Sequence, residues 1–87
     1  MIGIIEDFNN VSPELQRHKL REEVEELIEA INIDNDKEIL LEGCDVVQAV
    51  ITLLYNKGII HSKHDFEEAM ANHYIRQVGR GRTVKEI

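Results

Sequence analysis

The stretch between Asn35 and Gly58 leaves few architectures open. Ile39, Leu40, Leu41, Val46, Val47, Val50, Ile51, Leu53 and Leu54 put apolar side chains on almost every side of a helix. A helix apolar nearly all round is expected to be central and buried. Asn35, with Glu38 three residues on, fits a capping arrangement at its start, and Gly58 stands where a C-terminal cap glycine belongs. The pattern therefore predicts a helix ending at about Asn56. Its polar residues are not scattered. At 100° per residue, Glu38, Glu42, Asp45, Gln48, Thr52 and Asn56 fall within about 120° of one another. A narrow acidic stripe on a buried helix needs an explanation, because buried carboxylates are expensive unless paired or bound to a cation.

The flanking segments are helical too. Ser12-Pro13 is a strong helix start, with serine as cap and proline at the first helical position. Leu20, Val24, Leu27, Ile28 and Ile31 then recur at amphipathic spacing and predict a helix over about 13–31. Residues 32–36 read as a loop that also supplies caps. Ser62, followed by Asp65, reads as a third cap. The helix it opens is expected over about 63–78, with Phe66, Met70, His73 and Tyr74 inward. Gly79-Arg80-Gly81-Arg82 ends it. Residues 83–87 are expected to be mobile, and the first eleven, with Ile2, Ile4, Ile5, Phe8 and Val11, to form a short extra helix. Strand signals are weak. The fold class is all-α, one helical domain over residues 1–87.

Composition narrows the function. Ten basic residues against 17 acidic ones give a net charge of −7, which opposes non-specific nucleic-acid binding. A phosphate-bearing substrate stays open, because a metal ion can reverse the local field. Cys44 is the single cysteine, so no internal disulfide can form. No apolar run reaches the roughly 20 residues of a membrane span, and the N-terminus lacks the pattern of a signal peptide. A cytoplasmic protein without a membrane partner is expected. An 87-residue chain without disulfides buries a modest core, and the apolar excess of the second helix calls for subunit pairing. Four-helix-bundle-like assembly as a homodimer or homotetramer would provide it.

The chemistry gathers on the first two helices. Glu23 lies on the shoulder of the first helix's apolar stripe, and Glu26 is its neighbour one turn on. Glu42 and Asp45 repeat that spacing on the second helix. Two antiparallel helices joined by a short loop can set these pairs face to face, and four carboxylates sharing one volume call for a divalent cation. All-oxygen donors favour Mg²⁺ or Mn²⁺. A solvated glutamate-rich face is the plain alternative for the first helix alone. Acids on a nearly apolar helix are harder to dismiss.

The pattern Glu22-Glu23-Val24-Glu25-Glu26, a linker over 27–41, then Glu42-Gly43-Cys44-Asp45 resembles the signature of the all-α nucleoside triphosphate pyrophosphohydrolases. That superfamily holds the MazG-like enzymes, dimeric dUTPases, dCTPases and phosphoribosyl-ATP pyrophosphatases, and the resemblance spans residues 19–82. It implies that Glu23, Glu26, Glu42 and Asp45 hold Mg²⁺, with Mn²⁺ as a substitute, and that Glu22 and Glu23 serve catalysis. It implies phosphate-binding roles for Lys19, Arg76 and Arg80, the arginines matching a basic pair that ends in Arg-Gly. It also implies the reaction: water attacks the α-phosphorus of a (d)NTP, giving a nucleoside monophosphate and pyrophosphate. There are departures. Gly43-Cys44 replaces the usual Leu-Ala or Ala-Ala type, and Val46-Val47-Gln48 stands where phosphoribosyl-ATP pyrophosphatases often carry Leu-Tyr-His, which favours the MazG-like branch. Two other functions compete. One is a phosphoribosyl-ATP pyrophosphatase of histidine biosynthesis. The other is a non-catalytic helical oligomer or regulatory module, which would gain no stability from Mg²⁺.

Overall fold

A computed structural model of the chain describes residues 1–8 and 11–87. It is all-α among these residues. A 3₁₀ turn, Glu6–Phe8, precedes three helices: α1 (Pro13–Ile33), α2 (Asp36–Asn56) and α3 (Lys63–Gly79). The short N-terminal helix expected over the first eleven residues is thus a single 3₁₀ turn, and residues 9 and 10 lie outside the described residues.

The helix starts follow the sequence closely. The Ser12 hydroxyl accepts from the Leu15 N–H at 3.2 Å, Asn35 Oδ1 from the Glu38 N–H at 3.2 Å, and Ser62 Oγ from the Asp65 N–H at 3.3 Å. Each satisfies a donor that the first turn leaves unpaired. At the third cap Asp65 answers in return: its Oδ2 accepts from the His61 N–H at 2.7 Å. The α1 end differs from expectation. Asn32 and Ile33 belong to the helix, and the connection to α2 is only Asp34 and Asn35. Asp34 takes a left-handed conformation (φ 61°), from which its N–H reaches the Ala30 and Ile31 carbonyls at 3.1 and 3.0 Å. Aspartate tolerates that region better than most residues, so a non-glycine cap closes the helix two residues late. Gly58 (φ +70°) follows α2 as expected.

The two-residue connection folds α1 and α2 into an antiparallel hairpin, which brings Glu42 to Glu23 and Glu26 and puts Glu23 and Asp45 on the wall of one cavity. The buried apolar residues are few: Ala30 near the end of α1, Ile51 towards the end of α2, and Ile60 in the segment that follows it. Phe66 of α3 and Ile4 of the N-terminal arm face the same end of α2 across a cavity of about 290 Å³. Two expectations are corrected here. The second helix is not buried as a whole: Ile51 and Thr52 are its buried residues, while Leu40, Leu41 and Val47 are 50–69% exposed. Within one chain α1 is the helix packed along it, and α3 adds little cover. On α3, Phe66, Met70 and His73 are half-buried, but Tyr74 is exposed and meets the His73 ring edge-on at 5.7 Å. No described helix is long and apolar enough to cross a membrane.

Candidate metal centre

Glu23 and Glu26 sit on α1 three residues apart, so their side chains leave the same face. Antiparallel pairing carries Glu42 of α2 to that face. The three residues each offer a carboxylate oxygen, and these oxygens lie within 4.8 Å of one another. Like charges this close repel strongly.

Three features show the strain of that arrangement. Glu23 Oε1 is paired with Lys19 Nζ at 3.4 Å, yet Glu23 Oε2 is inaccessible and accepts no hydrogen bond. Glu42 Oε2 is likewise buried without a partner. The Glu42 carboxyl is pushed above the ordinary value of 4.5. Desolvation is the largest cause; the charges of Glu26 and Asp45, a hydrogen bond with Glu26 and the charge of Glu23 follow. Two buried carboxylate oxygens without a partner, in a group of three converging carboxyls, are what a hard divalent cation satisfies, and the donor set is all oxygen, as Mg²⁺ or Mn²⁺ prefers. The residues fit such an ion.

Other residues singled out by the sequence lie at varied distances from this centre. Asp45 is exposed and stands outside the group of three, but its charge reaches Glu42 and its side chain lines the adjoining cavity with Glu23. Glu22 is exposed on α1. Lys19 is on the cavity wall and ion-paired to Glu23. Arg76 and Arg80 are exposed at the end of α3 and line neither of the two cavities described here.

The adjoining cavity encloses about 410 Å³ between α1, α2 and the N-terminal arm. Sequence reasoning placed Gln48 and Thr52 on the polar stripe without giving them a task. Both line this cavity. Gln48 Nε2 donates to the Gly3 carbonyl at 2.8 Å and to Thr52 Oγ1 at 3.0 Å, and the Ile5 N–H donates to Thr52 Oγ1 at 3.4 Å. The arm was missed because these bonds join residues 45 to 47 positions apart, a separation no local pattern signals.

Residues 6–73 match the model of the phosphoribosyl-ATP pyrophosphohydrolase family. The chain belongs to that family. The match takes in Glu22, Glu23, Glu26, Glu42 and Asp45 and stops short of Arg76 and Arg80. Membership supports the all-α pyrophosphohydrolase grouping reached from the acidic motif. Within that grouping it names the phosphoribosyl-ATP family, whereas the Val46-Val47-Gln48 departure points to the MazG-like branch. No curated protein and no solved structure matches the chain.

Proposed function

We propose that this chain is a divalent-cation-dependent pyrophosphohydrolase that cleaves a nucleotide triphosphate between its α and β phosphates. The observation that carries the reading is the meeting of Glu23, Glu26 and Glu42 within 4.8 Å, with two buried oxygens left unpaired. Family membership supports the reaction class.

On this reading Glu23, Glu26 and Glu42 hold the cation, with Asp45 completing the set from the cavity side. Mg²⁺, or Mn²⁺ in its place, offsets phosphate charge and acidifies the attacking water when bound. Glu23 keeps its orientation through Lys19. Glu22, exposed beside the centre, accepts the proton that water loses as its oxygen bonds to the α-phosphorus and the bridge to the β-phosphate breaks. Lys19, Arg76 and Arg80 bind phosphate oxygens and stabilise the departing pyrophosphate. Because the two arginines lie away from the cavities of their own chain, we assign them to the site of a second copy in a homodimer or homotetramer.

The main reading takes a (d)NTP as substrate. The family match favours a second, phosphoribosyl-ATP. Incubation of the purified protein with Mg²⁺ or Mn²⁺, four NTPs, four dNTPs and phosphoribosyl-ATP separates them by pyrophosphate release. Monophosphate and pyrophosphate from at least one substrate is the expected result. Release of orthophosphate in place of pyrophosphate would overturn the proposed site of cleavage, and no metal-dependent turnover of any substrate would overturn the proposal in favour of a non-catalytic helical module.

A further inference from the structure

Cation binding accounts for the acidic cluster but not for the cavity beside it. That cavity is of small-molecule size, about 410 Å³. Glu23 and Asp45 form part of its wall, so it adjoins the centre where phosphates would sit. Lys19 stands with these acids, and the rest of the wall is of another kind: Ile5, Leu15 and Leu53 are among its apolar groups, and Gln16, Gln48, Thr52 and Asn56 are neutral and hydrogen-bonding. A wall that passes from carboxylates to aliphatic groups with a few fixed polar atoms suits a ligand with one ionic end and one flat, neutral end.

Gln48 has little freedom there. Its Nε2 points at the Gly3 carbonyl, which can only accept, so the two ends of the amide cannot be exchanged. Its two N–H groups are spent on Gly3 and on Thr52. The Oε1 atom has no protein donor among the described residues. Thr52 is 5% exposed and accepts from both Gln48 and the Ile5 backbone, so it fixes the amide and the N-terminal arm together. The arm in turn contributes Ile5 to the wall.

We infer that this cavity receives the nucleoside of the substrate, with Gln48 Oε1 accepting a hydrogen bond from an amino-bearing base, adenine or cytosine. Thr52 and the arm act as positioning groups. At Gln48 the α2 wall presents a fixed acceptor whose own N–H groups are already used, so a base that offers a carbonyl at that point meets oxygen against oxygen. This inference rests on the proposed function for its phosphate end, and the experiment keeps the two apart.

The test measures kcat and KM for dATP, dCTP, dGTP and dTTP, and for inorganic tripolyphosphate, which has the phosphates and no nucleoside. Wild type is compared with Gln48→Leu and Thr52→Val. Amide NMR shifts are recorded in parallel, without metal, on titration with the four nucleoside 5′-monophosphates. Relative to tripolyphosphate, wild type should favour dATP or dCTP. Gln48→Leu should reduce that preference by roughly three- to tenfold, mainly through KM, the scale of one net hydrogen bond. Thr52→Val should reduce it by less. AMP or CMP should shift Ile5, Gln48 and Leu53. An unchanged ranking in a folded Gln48→Leu protein, or monophosphate shifts lying away from the arm and α2, would overturn the subsite. Failure to hydrolyse anything, tripolyphosphate included, would count against the proposed reaction; the NMR titration would still decide the subsite by itself.

Discussion

Glu42 is the residue on which the account turns. Its carboxyl is half-buried among other acids and holds its proton above the ordinary value. In the unfolded chain it would release that proton first. Between the ordinary value of 4.5 and the raised one, the folded state therefore carries more protons, and stability falls as pH rises through that window. Below the window both states are protonated and the full contribution is present. Denaturant midpoints of metal-free protein, taken from about pH 4 to about pH 8 in chelator, should show this decline, and Glu42→Gln should flatten it. Added Mg²⁺ should oppose the decline, because a cation takes the place of the proton and binds better as the carboxyl ionises. At this scale the sequence was partly legible. Helical spacing alone paired Glu23 with Glu26 and Glu42 with Asp45. It could not tell that Asp45 stays exposed at the cavity while Glu42 goes under, because that depends on the rotation of one helix against another. The role of Gln48 was hidden for a related reason: its partner, Gly3, belongs to an arm whose position nothing local dictates.

The helices themselves were legible because their ends are marked. Serine, asparagine and serine caps all accept the hydrogen bonds their spacing implies. The Asn35 cap also sets the start of α2 and so the register that brings Glu42 to α1. Asn35→Ala should destabilise the protein by about 1 kcal/mol, read from chemical denaturation. The late end of α1 was not legible, since Asn32 and Ile33 are weak helix formers and the decision falls to the left-handed Asp34. That conformation strains any side chain. Asp34→Gly should stabilise the hairpin by about 0.5–1 kcal/mol while leaving metal-dependent behaviour unchanged, because the residue lies about two helix turns beyond Glu26. A loss of stability would mean that the aspartate side chain supports the turn.

Over the whole molecule, the folded chain leaves much apolar surface uncovered. Ile28, Ile31, Leu40, Leu41, Val47 and Ile75 are each at least half exposed. Contiguous apolar surface usually marks contact with another molecule, and the proposed homo-oligomer would bury it. Sedimentation should report a dimer or tetramer, and Leu40→Glu with Leu41→Glu should shift it toward monomer. Gly43 offers a second reading of the same face. Within one chain an added Cβ would meet nothing within 4 Å. Gly43→Ala should therefore raise single-chain stability by about 0.5–1 kcal/mol through helix propensity. A fall in stability together with a smaller assembly would show that a second copy packs against this glycine. The sequence reading of α2 as a buried helix was made from its own residues alone. It failed for one chain because burial is a property of what surrounds a helix.

Whether Glu23, Glu26 and Glu42 hold the cation is decided by a Mn²⁺ and Mg²⁺ titration of pyrophosphate release from the best substrate, with wild type beside Glu42→Gln and Glu26→Gln. Wild-type turnover should be absent in chelator and saturate with metal. Each variant should lose on the order of 10²-fold or more in kcat, the scale of removing one group that stabilises developing charge, and should lose the metal-dependent rise in melting temperature. Turnover independent of metal, or variants that keep both the rate and the thermal shift, would contradict the assignment of Glu23, Glu26 and Glu42 as the cation site.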